Sequence, residues 1–356
     1  MVGAAYEAAS KSSSAHKGML DWVALEKISG SNDRLAIEVI VNSLVELGMN
    51  SELAGANSLA DCVSQLKIRP AYRKLVSRWI QTACALGCFS DARMESEIQK
   101  KSISDGRVPE IVRICTDVVL GRRHILEFIF GSARPDWFKA YTPDDYDADP
   151  VSKYLHEITK SIVSTRVAGA DGGKTLRILE VGAGMGGLSA HIFPLFERFG
   201  KYEYVYTDIS KALLRQAAQR FSGVENICYL DYDINKNPRE CGIVGRFDLI
   251  LAFDVLHCAK NLQATLVHLA DLLNEDGWFV NEQLIENRDS HMLIPGLMPG
   301  FTDFEDERLD TFRTLISESK WKEKLSIAGL ACTSSFPEDA RCKEILGHAV
   351  IVASRF

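Results

Sequence analysis

Between positions 180 and 282, acidic side chains and one histidine recur just past short apolar runs: Glu180, Asp208, Asp233, His257 and Glu282. Carboxylates gathered in this way suit a cationic or hydroxyl-rich ligand. The histidine titrates near neutral pH and suits proton transfer. Glu180 lies within residues 175–190, TLRILEVGAGMGGLSA. There Gly182, Gly184 and Gly187 satisfy G-x-G-x-x-G, a nucleotide-binding fingerprint, and Gly186 adds to the cluster. Glycine takes the positive φ that a sharp strand-to-helix turn demands, and its missing side chain lets a ligand touch the backbone.

The fingerprint alone is unspecific. A dinucleotide would lay its pyrophosphate on the helix N-terminus, where Glu180 would repel it. The E-x-G-x-G pattern fits S-adenosylmethionine (SAM), which carries an ammonium, a sulfonium and a ribose but no phosphate. Asp208 can accept both ribose hydroxyls; its plainer role is a helix N-cap, which Ser210 fills equally well. Asp233 can accept from the adenine amino group, or be a turn residue like Asp231. Ile209, Ile234 and Phe253, beside these strand ends, complete the expected cofactor set.

His257 stands in FDVLHCAKNL. A lone histidine is more often structural, but this one falls at the active end of the expected sheet, on the cofactor side. Glu282 ends the next apolar run. A carboxylate there can hold one imidazole N–H and leave the other nitrogen free to take a proton. Glu286 is a second candidate. No serine-nucleophile elbow is present, and no metal site is expected.

These residues need a sheet to position them. From Lys174 on, strands alternate with helices, the signature of a parallel doubly wound α/β sheet. The expected strands are 202–206, 226–230, 247–253 and 278–282, with helices over 211–221 and 263–273. Ligands bind beyond the carboxyl ends of such strands, at the switch point. Acidic residues at successive strand ends are therefore informative.

The 356 residues, 46% hydrophobic and 25% charged, suit two domains or one decorated domain. No apolar run reaches membrane-spanning length, and the net charge of −7 does not suggest bulk nucleic-acid binding. Residues 1–17, rich in Ser and Ala, predict a flexible tail without a signal peptide's apolar core. The nine cysteines include no C-x-x-C pair; reduced thiols and a cytoplasmic location are expected, with Cys84 and Cys88 packing as small hydrophobes.

Residues 18–168 read as a helical N-terminal domain and 169–356 as the α/β domain, joined by AGADGG. Within the first, PAYRKLVSRWIQTACAL (70–86) is amphipathic, with Leu75, Trp79, Ile80 and Ala83 on one face. Lys67, Arg69, Arg73, Lys74 and Arg78 form a basic cluster, read either as a solvated face or as a docking surface for an acidic partner. Two helices are expected over 108–130, split near Gly121-Arg122-Arg123. An irregular connection, GSARPDWFKAYTPDDYDADP, follows, and then a helix over 151–167.

From about Ile125 onward the sequence resembles the C-methyltransferase domains of polyketide synthases. The segments that carry the resemblance are ILEFIFG, LRILEVGAGMGGLSA, YVYTDIS, LDYDINKNP, FDLILAFDVLHCAKNL and GLMPGFTDFEDERL. The helical part before Ile125 matches that family's lid more loosely. The resemblance implies a Rossmann-like class I methyltransferase core with a mostly helical lid. It implies SAM held by Glu180 and the glycines, with the ribose on Asp208 and the adenine on Asp233, and S-adenosylhomocysteine as product. It also implies a catalytic pair of His257 and a strand-five glutamate, and a β-ketoacyl thioester on an acyl carrier protein as substrate.

This chain departs from the family pattern at Phe301 and Thr302, where two tryptophans are usual. In the strand-five segment WFVNEQLIEN, a register one residue along places Gln283 in the glutamate's position. Both a free-standing enzyme acting in trans and a domain of a longer protein fit. The expected reaction is methylation of the α-carbon. The rivals are O- or N-methylation of a released metabolite, and a SAM-binding relative that transfers no methyl group.

Overall fold

The computed structural model describes residues 2–56, 58–90, 105–129, 131, 135 and 148–356. Its helices, in chain order, are α1 (Val2–His16), α2 (Trp22–Glu46), α3 (Ser51–Ala56), α4 (Leu59–Gln65), α5 (Arg73–Ala85), α6 (Val108–Val119), α7 (Ile125–Ile129), α8 (Pro150–Ala168), α9 (Gly187–Phe199), α10 (Lys211–Arg220), α11 (Leu262–Asp271), α12 (Glu318–Ile327) and α13 (Ala340–Leu346). Its strands are β1 (Leu176–Val181), β2 (Tyr202–Asp208), β3 (Ile227–Asp231), β4 (Phe247–Phe253), β5 (Leu273–Leu284), β6 (Leu330–Phe336) and β7 (His348–Arg355). The chain divides into two units. One takes Met1–Leu25, Tyr141–Glu286 and Leu315–Phe356; the other takes Glu26–Ala140 and Asn287–Thr314.

The first unit is built on one seven-stranded sheet, ordered β3-β2-β1-β4-β5-β7-β6. Strands β1 to β5 pair in parallel. Strand β7 inserts antiparallel between β5 and β6, so the sheet is mixed where a parallel one was expected. The central strands read as continuous apolar runs because helices cover both faces. Leu249, Leu251, Trp278 and Val280 pack in one core with Ile158 of α8 and Ile192 of α9. Ile250, Ala252 and Phe279 pack in another with Leu266 of α11 and Leu325 of α12.

Two boundary expectations are corrected here. Residues 2–16 form a helix, not a tail. Ala5 and Ala9 are buried, Ser13 Oγ lies 2.7 Å from Tyr154 Oη, and Ser12 Oγ donates to the Glu157 carbonyl at 3.1 Å. Alanine and serine at four-residue spacing let two helix backbones approach closely, so the composition that suggested disorder serves helix packing instead. The division also does not fall at residue 169. Helix α8 shares its core with β1 through Tyr154, Ile158 and Ile162, and residues 287–314 belong to the helical unit.

In the helical unit the face expected on 70–86 is the buried one: Leu75, Trp79, Ile80 and Ala83 lie in the core. Trp79 Nε1 donates to the Met292 carbonyl at 2.8 Å, which ties α5 to the segment before GLMPG. Cys84 is exposed rather than packed, while Cys88 lies against the core. The expected break between α6 and α7 is present at 120–124. The irregular connection expected over 131–150 lies largely outside the described residues. Among the described residues, no helix is long and apolar enough to cross a membrane.

Replacing Ala9 tests the docked helix. Ala9→Leu should destabilise the protein by about 1–3 kcal/mol through overpacking against α8, read from denaturant unfolding. An unchanged midpoint would mean that residues 2–16 do not pack.

Candidate active site

At the end of β1 the chain turns through three glycines with positive φ: Gly182 at 62°, Gly184 at 58° and Gly186 at 78°. Gly187 is the first residue of α9. The three serve different ends. A Cβ on Gly182 would lie 2.2 Å from Val255 Cγ2, and one on Gly186 would lie 2.4 Å from Phe221 Cε2, so both permit close packing. A Cβ on Gly184 would meet nothing within 4 Å. Gly184 is therefore the open side of the turn, where a ligand can reach the backbone.

Glu180 is 1% exposed. Its Oε2 accepts from Ser189 Oγ at 2.6 Å and from Tyr204 Oη at 2.7 Å. Burial pushes its pKa up to about 7, against the opposing pull of these two donors. Neither donor was expected from the sequence; they come from a helix and a strand that only the fold brings to β1.

Asp208 ends β2. Its Oδ2 accepts the Gly184 N–H at 2.9 Å and its Oδ1 the Ser210 N–H at 2.7 Å, while burial raises its pKa. The N-cap of α10 is Ser210, whose Oγ accepts the Leu213 N–H at 3.3 Å. Asp208 is thus not the cap and stands at the open glycine. Next to it, Ile209 is 66% exposed, an apolar face available to a ligand. Asp233 accepts from Asn235 N and Nδ2 at 3.0 and 2.9 Å, the turn geometry that was its plainer reading. Ile234 is buried and Phe253 lies partly buried against the core. The set fits the expected cofactor: an open backbone at Gly184, a carboxylate beside it and an apolar neighbour, while the nearby Arg220 guanidinium is taken up by the Met185 and Gly186 carbonyls at 2.9 and 3.3 Å.

His257 occupies a short turn, Leu256–Cys258, just past β4 and is 7% exposed. Its Nδ1 lies 2.9 Å from Gln283 Nε2. Glu282 is not its partner. Successive strand residues point to opposite faces, and Glu282 points toward α8. There Thr159 Oγ1 donates to its Oε2 at 3.0 Å and His156 Nε2 lies 3.9 Å from Oε1. Burial, followed by repulsion from Asp254, holds the Glu282 pKa well above the usual carboxylate range. Glu286 is exposed beyond the end of β5.

The amide of Gln283 has two possible relations to the ring. With its nitrogen toward Nδ1 it donates, and the imidazole proton stays on Nε2. A half-turn brings its oxygen to Nδ1, which can then carry the proton and leave Nε2 unprotonated. Two further residues belong to this end of the sheet. Asp254 Oδ2 lies 2.8 Å from His348 Nε2, and Asp254 Oδ1 accepts the Leu284 N–H at 2.8 Å. Burial alone would raise the Asp254 pKa. His348, His257 and the Leu284 N–H outweigh it and hold the carboxyl below its usual value. Asp254 was readable in the D-V-L-H run. His348 had no local signal.

A methyltransferase-domain family profile matches residues 179–279, from within β1 to within β5. A non-reducing polyketide synthase of Preussia isomera, Preu3, is 31% identical over 214 residues, which is 60% of this chain and 8% of the synthase. The chain thus spans a small fraction of that relative's length. Among solved structures, the CurJ carbon methyltransferase superposes with a TM-score of 0.80 at 22% identity, over 99% of each chain. The trans-methyltransferase CalH, in complex with SAH, superposes with a TM-score of 0.58 at 20% identity, over 93% of this chain and 92% of that one. At these identities the likeness establishes the fold.

The buried carboxyl of Glu180 makes stability depend on pH. Its folded pKa lies above the unfolded value, so its contribution is fully present below about pH 4.5 and is lost as pH rises through about 7. Glu180→Gln keeps an acceptor for Ser189 and Tyr204. Relative to the parent, it should gain up to roughly 3 kcal/mol between pH 5 and pH 8. Denaturant unfolding at both pH values measures this; parallel pH dependence in parent and variant would remove the assignment.

Proposed function

We propose that this chain, which matches a methyltransferase-domain family over residues 179–279 and resembles a segment of a polyketide synthase, is a SAM-dependent enzyme that methylates the α-carbon of a β-ketoacyl thioester borne by a carrier protein. The observation that carries the reading is His257. Its imidazole stands past β4, in the turn whose Val255 packs on Gly182 of the cofactor loop, with Nδ1 against a side-chain amide. When bound, SAM supplies an electrophilic methyl group and leaves as S-adenosylhomocysteine.

The chain's own residues do the rest. Asp208 and the open backbone at Gly184 would hold the ribose, and the exposed Ile209 would offer an apolar face to the adenine. His257 Nε2 takes the proton from the carbon between the two carbonyls. The electron pair of that C–H bond enters the enolate, whose α-carbon forms the new bond to the methyl group. For this the Gln283 amide turns from the arrangement described above, giving up its Nε2 contact with Asp254 Oδ1, so that Oε1 accepts the Nδ1–H and fixes the tautomer. Two flanking carbonyls already acidify the carbon. Positioning and one proton transfer then suffice, the latter worth about 10²–10⁴-fold. The neutral amide favours one rival reading, methylation of a phenolic oxygen, because an acidic acceptor asks least of the base.

The carrier protein is supported by the basic face of the helical unit. The Arg69 N–H donates to the Val119 carbonyl at 2.8 Å. A Cβ on Gly121 would lie 2.5 Å from Arg69 Cδ, so the arginine stem crosses the break between α6 and α7. Two basic runs distant in sequence, Lys67–Arg73 and Arg122, thereby converge as exposed side chains. Arg122 pairs with Asp117 at 3.3 Å. Lys67, Arg69 and Arg73 make no ion pair among the described residues. An acidic carrier surface suits such a face.

Incubation of the protein with a β-ketoacyl thioester and methyl-labelled SAM, read by mass spectrometry, should place label on the α-carbon. Label on oxygen or nitrogen, or none on any acceptor, would overturn the reading. His257→Ala should lower transfer by about 10²–10⁴-fold and leave SAM affinity unchanged. Charge reversal of Lys67, Arg69 and Arg73 together should raise KM for a carrier-bound substrate and leave KM for a small thioester as it was. Equal effects on both would remove the docking face.

A further inference from the structure

The turn that carries His257 is held from two sides by residues that the cofactor site and the base assignment do not themselves require. On one side Val255, two residues before His257, fills the space that Gly182 leaves by lacking a Cβ; a methyl there would lie 2.2 Å from Val255 Cγ2 and 2.7 Å from its Cβ. On the other side Asp254, three residues before His257, is tied to β5 and β7. Its N–H donates to the Glu282 carbonyl at 2.8 Å, its Oδ1 accepts from Leu284 N at 2.8 Å, and its Oδ2 lies 2.8 Å from His348 Nε2. Its Oδ1 also lies 3.5 Å from Gln283 Nε2, and Gln283 in turn contacts His257. Asp254 has φ of 43°, in the left-handed region that costs a non-glycine residue free energy unless its surroundings impose it. The surroundings here are these contacts.

We infer that His348 and Val255 are positioning residues for the methyl transfer, with Asp254 as the hub between them: His348 pins the Asp254 carboxylate, Val255 seats the turn on the cofactor loop, and together they set where the His257 ring stands. This rests on the methyltransferase reading above. It gives Gly182 a role apart from the cofactor. The first glycine of the fingerprint admits a side chain of the catalytic turn, while Gly184 remains open to the ligand. It also gives β7 a part in the chemistry, because a strand from the chain's end supplies the side chain that braces the turn.

A positioning role predicts a specific split. His348→Leu removes the polar atom facing Asp254 and should lower kcat roughly 10- to 100-fold, with KM for SAM and the unfolding midpoint close to the parent's. His348→Gln presents an amide N–H to Asp254 and should restore most of the rate. Val255→Ala leaves a void beside Gly182 and should lower kcat in the same way, with SAM affinity by calorimetry retained. A parent-like kcat in His348→Leu, or a loss that His348→Gln fails to recover while the variant stays folded, would overturn the inference. If His348→Leu unfolds, Val255→Ala decides alone, and a parent-like kcat there would overturn it. The underlying reading fails differently: the parent itself would transfer no methyl group to the thioester, or His257→Ala would be as active as the parent.

Discussion

Two neighbouring parallel strands that leave the sheet in opposite directions set the terms for everything at this site. Strands β1 and β4 pair from Ile178↔Leu249 to Val181↔Ala252. Beyond them β1 runs into α9 on one face of the sheet, and β4 leads to α11 on the other. Such a divergence opens a crevice at the carboxyl ends of the strands. The price of building a site there is that two turns must share a very small space. Gly182 resolves the crowding, since Val255 occupies the volume a side chain would need. The glycine turn and the histidine turn are in contact because the strand order requires it.

Alternation along β5 decides the second feature. Neighbouring residues of a strand face opposite sides, so a shift of one residue exchanges partners completely. Trp278 and Val280 lie in the α8 core, Glu282 continues that face, and Phe279 and Gln283 belong to the other. The sequence shows a glutamate and a glutamine side by side and no way to fix which of them meets the histidine. The pairing of Ala252 with Asn281 and of Phe253 with Glu282 settles it in favour of the glutamine.

What the chain reveals before folding follows the same logic. Strands β1 to β4 were legible because apolar runs end in Asp, Glu or Gly, and the glycine turn and Asp208 came with them. Features made by distant partners were not. Ser189 and Tyr204 reach Glu180 from α9 and β2; His348 reaches Asp254 across 94 positions of sequence. Helix α1 was misread because its signal is small residues, which indicate disorder by composition and close helix packing by geometry. Strand β6 reads LACTSSF, too polar to stand out, and without β6 the antiparallel β7 had no expected place.

The neutrality of Gln283 can be understood from the charges around it. Asp254, Glu180 and Glu282 are among the acidic side chains at this end of the sheet, and burial and the donors each receives shift their pKa values differently. Asp254 has a backbone N–H and His348 and stays ionised. Glu180 has two hydroxyls, and burial still lifts its pKa to about 7. Glu282 has one hydroxyl, deep burial and the Asp254 charge nearby, and its pKa is raised well above the usual carboxylate range. A carboxylate at 283 would stand with its oxygens close to Asp254 Oδ1, which is 3.5 Å from the present amide nitrogen. Like charges at that distance cannot both be kept without shifting one pKa strongly. A carboxylate at 254 beside an amide at 283 avoids that repulsion. The carboxylate behind the His257 ring sits one side chain further away, on Asp254, and reaches the ring through the field and through the turn it holds.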